Sequence, residues 1–381
     1  MSTPAFTLPA SFVEQYGEDL YHCASCNYCV DAVWAERGIA HVCATLEHHS
    51  PAPGYSGRGF IDIARALHEG RPLAVEAVAE RVFTCTGCGN CETLCPIGLH
   101  PAAIGQSLRE ALTAAERLPE PVERARRGAL ERGEHRRESA FEQSPVTGGT
   151  TLSVFAGCSA SSEARALAGW LADAGIDVDW RGGPERCCGA VLGALGDARR
   201  GRAWAAATAA ELAGDEPTVV LGYECLASLG AAAAATLSLP AWLIARIDAG
   251  RITLRARAGA AARDVYLFES CQLKPRPGVP APPDERDVRA LLERLGIRVL
   301  NDRYPNVHVL CCGAGGALPA MQPEAALSMA RGRVAGLAGA PVVALDPRCA
   351  AHVEAASPDT PVAGLVEFLA RTFELRAEDA A

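Results

Sequence analysis

The sequence predicts an α+β protein, with an all-α, cysteine-rich unit followed by two tandem α/β repeats that have short parallel sheets. Three observations predict this organisation. Two runs of cysteines at x2 spacing lie among segments of helical periodicity in residues 1–118. From residue 151 onwards, short apolar runs alternate with amphipathic segments, which is typical of an α/β unit. Within that region a Cys-Cys-Gly triplet occurs twice, and in both copies 36 residues separate the pair from the next cysteine.

Length and charge restrict the classes of protein to consider. A chain of 381 residues is typical of two or three domains. We divide it into a cysteine-rich unit (1–118), a charged helix with a linker (119–150) and two repeats (151–258 and 259–381). The net charge of −9 argues against a nucleic-acid partner. The N-terminus lacks the pattern of a secretory signal, and the x2 spacing of the cysteines favours metal binding over disulfides, so we expect a cytoplasmic protein.

The most specific motif is the second cysteine run, Cys85-x2-Cys88-x2-Cys91-x3-Cys95-Pro96. This is the run of bacterial ferredoxins, in which three thiolates hold one [4Fe–4S] cluster and the fourth cysteine ligates the other cluster. Structural zinc is the alternative, but zinc sites seldom use three cysteines in tandem.

The first run, Cys23-x2-Cys26-x2-Cys29, reaches its fourth member, Cys43, only after an insertion of 13 residues, and Ala44 stands where the proline is expected. Exchange of the fourth cysteines between the runs predicts two ligand sets. Cluster site 1 comprises Cys23, Cys26, Cys29 and Cys95, and cluster site 2 comprises Cys85, Cys88, Cys91 and Cys43. The nearby His41, His48 and His49 are alternative ligands if Cys43 is not one, although surface histidines are the simpler interpretation.

Helical periodicity at 59–67, 73–82 and 101–118 predicts that helices, rather than a small β-sheet, carry these runs. We expect the insertion at 30–42 to be a loop or short helix.

The two repeats show the same order of predicted elements. In the first, strands are expected at 152–156, 176–180 and 218–221, and helices at 164–174 and 197–213. In the second, strands are expected at 265–268, 298–300 and 342–345, with 307–310 leading into the cysteine pair, and helices at 286–295 and 323–338. Both copies are expected to finish in a similar helix, at 239–244 and at 360–365.

The cysteines of each repeat follow the predicted strands. Because ligands bind at the carboxyl ends of parallel strands, four turns can converge on one site. CCG site 1 comprises Cys158, Cys187, Cys188 and Cys225, and CCG site 2 comprises Cys271, Cys311, Cys312 and Cys349. Adjacent cysteines make a strained disulfide, and the following glycine allows both sulfurs to face one side, so a metal or cluster is the favoured occupant.

These motifs resemble the iron–sulfur subunits with a duplicated cysteine-rich "CCG" domain. Among these are the iron–sulfur subunits of glycolate oxidase and of anaerobic glycerol-3-phosphate dehydrogenase, the lactate-utilisation iron–sulfur protein, the B- and D-type subunits of heterodisulfide reductase, and a related component of the sulfite-reductase complex. The resemblance covers nearly the whole chain. Besides the run at 85–96, it rests on Gly54-Tyr55-Ser56-Gly57-Arg58-Gly59, Glu269-Ser270-Cys271-Gln272, Cys311-Cys312-Gly313-Ala314-Gly315-Gly316 and Asp346-Pro347-Arg348-Cys349.

The resemblance implies an electron-transfer subunit that is not catalytic alone. It implies two [4Fe–4S] clusters in the N-terminal domain and one or two further iron–sulfur clusters in the CCG domain. The expected partners are a flavoprotein dehydrogenase or an electron-transfer flavoprotein subunit, and a membrane quinone-reactive subunit that would hold the chain at the inner face of the membrane. No Gly-x-Gly-x2-Gly fingerprint or haem attachment motif is found, so the donor is expected on another chain.

Two positions depart from the heterodisulfide reductase branch, whose repeats each carry a fifth cysteine. Ser228 and His352 stand there instead. Each copy thus has four thiols, enough for one cubane, and reduction of a disulfide or sulfur compound becomes the alternative function. His352 is a further candidate ligand, as histidine is in Rieske centres, beside the simpler interpretation of a histidine near the site.

Overall fold

The structure is a computed structural model, and it describes residues 6–31, 40–135, 151–159, 161–181, 187–214, 216–230, 236–259, 263–274, 285–301 and 310–377. The centre of the insertion, the linker after residue 135 and most of the 307–310 segment lie outside these ranges. The predicted fold class is confirmed, since a helical N-terminal unit precedes short parallel sheets.

Helices form the N-terminal unit throughout its described part. They are α1 (Ala10–His22), α2 (Ala44–His48), α3 (Gly57–His68), α4 (Val75–Phe83), α5 (Asn90–Thr93), α6 (Pro101–Ala114) and α7 (Glu120–His135). Ser56 caps α3 by accepting a hydrogen bond from Gly59 N, and Pro101 opens α6, where its missing N–H costs nothing. A Cβ on Gly105 would come within 2.7 Å of the Phe60 ring, so this glycine allows α3 and α6 to approach closely.

The first repeat is a four-stranded parallel sheet with helices. Its elements are β1 (Thr151–Phe155), α8 (Ser161–Ala172), β2 (Asp177–Trp180), α9 (Ala190–Ala194), α10 (Ala198–Leu212), β3 (Thr218–Val220), α11 (Tyr223–Gly230), β4 (Thr236–Ser238), α12 (Leu239–Asp248) and β5 (Ile252–Ala256). The strand order is β2-β1-β3-β4, with Leu152 opposite Val178.

The second repeat has the same topology. Its elements are β6 (Asp264–Phe268), α13 (Glu285–Arg294), β7 (Arg298–Val299), α14 (Leu318–Met321), α15 (Pro323–Val334), β8 (Val342–Ala344), α16 (Pro347–Ala356), β9 (Val362–Gly364), α17 (Leu365–Thr372) and β10 (Phe373–Ala377). The order β7-β6-β8-β9 reproduces that of the first sheet position by position.

One predicted element is wrong. The helix expected at 360–365 begins only at Leu365, because residues 362–364 form β9 and pair with β8 in parallel. The equivalent helix of the first repeat does begin at Leu239, immediately after β4. Each of these strands has three residues, too short to show periodicity in the sequence.

The two repeats pack against each other as one body with a shared core. Strands β5 and β10 end the two copies and pair antiparallel, with Phe373 opposite Ala256. The buried Trp170 of α8 donates its indole N–H to Phe373 O at 2.8 Å, so its polar atom is satisfied inside the core. The loops that follow the strands of the two sheets are thereby held close together.

Candidate metal centres

Cluster site 1 lies between the end of α1 and the turn after α5. Cys23 ends α1, and Ser25 and Asn27 adopt positive φ values of 53° and 65° that bend the run back on itself. All four predicted ligands line one small pocket beneath Arg58. Burial, followed by the thiols of Cys23 and Cys95, raises the pKa of Cys29 to about 11. The structure therefore brings Cys95 to the first cysteine run, as the motif predicts.

Cluster site 2 gathers the other four cysteines in the interior. Burial, followed by the thiols of Cys85 and Cys88, raises the pKa of Cys43 to about 12. Burial, Glu92 and the other three thiols of the set raise the pKa of Cys91. Gly87 N donates to Cys85 Sγ at 3.2 Å, the kind of N–H···S bond that stabilises a thiolate ligand. Despite the insertion before it, Cys43 lies with the second run.

The rings of two of the three histidines near Cys43 have other partners. His48 Nδ1 lies 3.1 Å from Ser328 Oγ, and His49 stacks edge-on against Tyr55. His41 Nδ1 is buried without a hydrogen-bond partner among the described residues, and the carboxylate of Asp31 lies 3.7 Å away. The contacts of His48 and His49 favour the simpler interpretation for these two residues, and Cys43 itself lies with the second run.

CCG site 1 is a chain of contacts between thiols. The thiols of Cys158 and Cys187 affect the pKa of each other, and Cys188 Sγ lies 3.1 Å from Cys225 Sγ. Gly189 N donates to Cys187 Sγ at 3.4 Å. Gly189 has a φ of 74°, and a Cβ there would overlap the carbonyl of Gly201, so only glycine fits this turn.

CCG site 2 repeats these contacts. Cys312 Sγ lies 3.0 Å from Cys349 Sγ, and Gly313 N donates to Cys311 Sγ at 3.3 Å. The thiol of Cys349 and burial raise the pKa of Cys312, and burial raises the pKa of Cys349 to about 11. The thiol of Cys271 adds to both shifts, so it lies near this pair. Equivalent cysteines thus make equivalent contacts in both copies.

The residues that replace the fifth cysteines both bind backbone carbonyls. Ser228 donates its hydroxyl to Cys188 O. His352 Nε2 lies 3.0 Å from Ala326 O. Ser228 therefore braces the cysteine turn of its own copy, whereas His352 binds α15 at Ala326, the residue against which Gly313 packs.

Cluster site 2 and CCG site 2 touch directly. The buried side chains of Cys88 and Cys311 belong to one packed cluster, and each thiol affects the pKa of the other. Beside them, Gly316 packs so closely that a Cβ would overlap Cys85 O. The two ligand sets come from different domains, yet Cys88 of one set packs with Cys311 of the other.

Two buried cations that sequence reasoning missed hold the loop of cluster site 2. Arg109, which is 3% exposed, donates to Val82 O, Ala194 O and Cys85 O. Lys274, which is 1% exposed, donates to Cys88 O and to the side-chain oxygen of Asn90. Nothing local in the sequence marks either residue, because these partners lie in distant segments.

A third cation joins the two CCG sites. Arg348 Nη2 lies 2.7 Å from Glu224 Oε2, and its charge acts on the thiols of Cys158 and Cys225 in the other copy. Although burial lowers the pKa of Arg348, the surrounding carboxylates and thiols raise it further, so the side chain stays charged. CCG site 1 is therefore bordered by a cation that the second copy supplies.

The chemistry of these donors fits iron–sulfur clusters. Thiols packed together in a poorly solvated interior repel one another once ionised, and they ionise readily only when a cationic centre is bound. Among the described residues, no three histidine, cysteine, aspartate or glutamate side chains are close enough to hold a single metal ion. Ligands of a cubane bind different iron atoms and lie farther apart.

Comparison with known families agrees with this chemistry. Residues 19–99 match the 4Fe-4S dicluster domain, and residues 265–354 match the cysteine-rich domain termed CCG. The chain carries both domains. No curated protein matches it. The combination is the one expected of the iron–sulfur subunits that the sequence resembles, and it gives the chain the capacity for electron transfer.

The matched ranges cover three of the four ligand sets. The dicluster match includes all eight cysteines of cluster sites 1 and 2, and the CCG match includes the four of CCG site 2. CCG site 1 lies outside both ranges. Its likeness to CCG site 2 rests on the common strand order and on the paired sulfur contacts.

Proposed function

We propose that this chain is the iron–sulfur electron-transfer subunit of a multi-subunit oxidoreductase. The observation that carries the proposal is the packing of Cys88 with Cys311 in one buried cluster. It joins the dicluster domain to the CCG domain through their ligands. Iron–sulfur clusters held by such thiolates supply one-electron exchange, with potentials that their surroundings set.

The four ligand sets form a continuous series through the chain. Cys26 of cluster site 1 is exposed, whereas Cys88 and Cys311 are buried. At CCG site 1, the charge of Arg348 from the second copy acts on the thiol of Cys158 and so connects the two CCG sites. The exposed Cys26 suits exchange with a partner at cluster site 1.

The partners we propose are a flavoprotein, which would handle two-electron chemistry, and a quinone-reactive or other redox subunit. Any role at a membrane would belong to that second partner. We assign the chain to the cytoplasm because the x2 spacing of its cysteines favours metal binding over disulfides. None of the helices in the described part of the chain has the length and apolar character needed to cross a bilayer.

Reduction of a disulfide, the alternative considered from the sequence, gains no support from the site. Ser228 and His352 stand at the positions of the fifth cysteines, and both are bound to backbone carbonyls. Each CCG site thus offers four thiols.

Anaerobic purification, iron and sulfide determination, and electron paramagnetic resonance test the proposal. We expect at least about eight irons per chain, from two cubanes in the dicluster domain, and more if the CCG sites are filled. Dithionite should produce reducible cluster signals that titrate as one-electron couples. Fewer irons without any reducible signal would overturn the proposal.

A further inference from the structure

Lys274 is a buried cation placed between the two domains. It follows the short turn Cys271–Leu273 of the second repeat, and its side chain reaches into the loop of cluster site 2. Its ammonium donates to Cys88 O at 3.3 Å and to Asn90 Oδ1. The amide of Asn90 in turn donates to Val42 O at 3.1 Å, next to Cys43. One lysine thus connects the turn of CCG site 2 to two segments of cluster site 2.

The ammonium of Lys274 acts on a neighbouring thiol as well as on these oxygens. Removing an ammonium group from water is unfavourable unless nearby negative charge offsets the loss of solvation. The ammonium of Lys274 is buried beside Cys88, which is itself buried and whose carbonyl accepts its hydrogen bond at 3.3 Å. Lys274 therefore favours negative charge on the ligand set that it joins.

We propose that Lys274 is a positioning residue for electron exchange between the domains, and that its charge raises the reduction potential of the cluster in site 2. The proposal rests on the proposed function. Each electron added makes a four-thiolate cluster one unit more negative, and a fixed cation nearby stabilises the reduced form. The same hydrogen bonds keep the Cys88 loop against Cys311.

The first repeat provides an internal contrast. The residue three positions after Cys158, equivalent to Lys274, is Ser161, so the first copy has no cation there. The thiol that meets the dicluster domain at Cys88 is Cys311, which belongs to the second copy. The lysine is therefore present in the copy that contacts the dicluster domain, and the fold of the repeat does not require it.

Potentiometric titration followed by electron paramagnetic resonance tests the proposal on the full chain with its clusters. The variants are Lys274→Met and Lys274→Gln, which remove the charge, and Lys274→Arg, which keeps it. Cys43→Ser identifies the signal of site 2 by deleting it. We expect the neutral variants to shift the one-electron equilibrium of site 2 at least tenfold toward the oxidised form, which corresponds to about 59 mV.

The control is within the same molecule. The potential of the cluster in site 1, whose ligands lie around Arg58 rather than Lys274, should not move, and Lys274→Arg should retain most of the wild-type value at site 2. Full iron content with an unchanged potential at site 2 would overturn the proposal. So would loss of that cluster's iron from both neutral variants, since the lysine would then be a structural contact. Absence of reducible clusters from the wild type would instead refute the proposed function.

Discussion

Arg348 and Glu224 occupy the same position in the two repeats, one residue before the last cysteine of each, and they pair with each other through two contacts of 2.7 and 3.0 Å. Such a pair cannot form between identical copies, because two arginines or two glutamates would repel. Asp346 adds to it by accepting a hydrogen bond from Glu224 N at 3.1 Å. The repeats have therefore diverged so that their charges join the two CCG sites.

Loss of this arginine should destabilise the protein. In Arg348→Gln, Glu224 lies beside Asp346 with no cation opposite, in a site where burial already raises its pKa to about 7. Its carboxyl group must then either stay charged without a partner or take up a proton. We expect the free energy of unfolding to fall by about 3 kcal/mol, measured by anaerobic urea titration. The double variant Arg348→Gln/Glu224→Gln should recover most of this loss, because neither charge is then left alone.

Arg298→Gln is the matched control for the loss of an arginine. Arg298 pairs with a carboxylate too, that of Asp264 within its own repeat, but their side chains are 72% and 38% exposed. Solvent screens such a pair, so the unfolding midpoint should stay within experimental error. A double variant no more stable than Arg348→Gln would contradict the coupling between Arg348 and Glu224.

The grouping of the N-terminal cysteines predicts which substitutions share an outcome. Cys43→Ser and Cys88→Ser should each delete the cluster of site 2, and their double variant should lose no more iron than either alone. Cys43→Ser combined with Cys95→Ser should delete both clusters, because Cys95 lies with Cys29 in site 1. Iron determination and the count of reducible signals measure this. If the double variant Cys43→Ser/Cys88→Ser lost as much iron as the two single variants together, the grouping would be wrong.

The sequence predicts most of what local spacing controls. The x2 runs place three cysteines of each N-terminal set within seven residues of chain. The glycine after each cysteine pair predicts a sharp turn, and the structure has a positive φ at Gly189 and Gly313. Alternation of strand and helix predicts the parallel sheets. The predicted helix at 360–365 is wrong because a three-residue strand, β9, leaves no periodic signal.

The remaining features could not be predicted because they join segments far apart in the chain. Nothing in the spacing relates Cys88 to Cys311, or Arg109 to Ala194. Strands β5 and β10 are an intermediate case, since apolar and polar residues alternate over the first four positions of both. Their pairing with each other depends on how the two repeats pack.

Glu163 should make stability depend on pH. This residue of α8 is 4% exposed and accepts a hydrogen bond from Val366 N at the start of α17. Burial raises the pKa of Glu163 from 4.5 to about 7, although the bond from Val366 opposes the shift. The folded state therefore binds this proton more tightly than the unfolded state does, and its contribution to stability is complete below pH 4.5 and declines as pH rises to 7.

Glu163→Gln removes this titration and retains an oxygen for Val366 N. As pH rises from 4.5 to 7, we expect the free energy of unfolding of the variant to increase relative to that of the wild type by about 3 kcal/mol, since each pKa unit corresponds to 1.36 kcal/mol. Urea titrations at pH 5 and pH 8 measure the difference. Glu324→Gln, at an exposed side chain of α15, is the control for loss of a glutamate charge. An advantage of Glu163→Gln that is the same at both pH values would contradict the prediction.

Gly316 should be required for the contact between the two domains. It has a φ of 62°, and a Cβ would overlap Cys85 O and lie 3.0 Å from Thr86 Cα. Gly336 has a φ of 77° with open space around it, so Gly336→Ala incurs only the backbone strain of about 1–2 kcal/mol. We expect Gly316→Ala to destabilise the protein more than this control in urea titration, because the cysteine loop of the second repeat must move off the loop of cluster site 2.

The same substitution should weaken magnetic coupling between the clusters of cluster site 2 and CCG site 2, seen as a change in the power saturation of their signals. The physical reason is distance, since the added Cβ of Gly316→Ala separates the loops that carry Cys88 and Cys311. Equal losses of stability in Gly316→Ala and Gly336→Ala, with unchanged saturation, would mean that Gly316 has no part in the contact between these two cysteines.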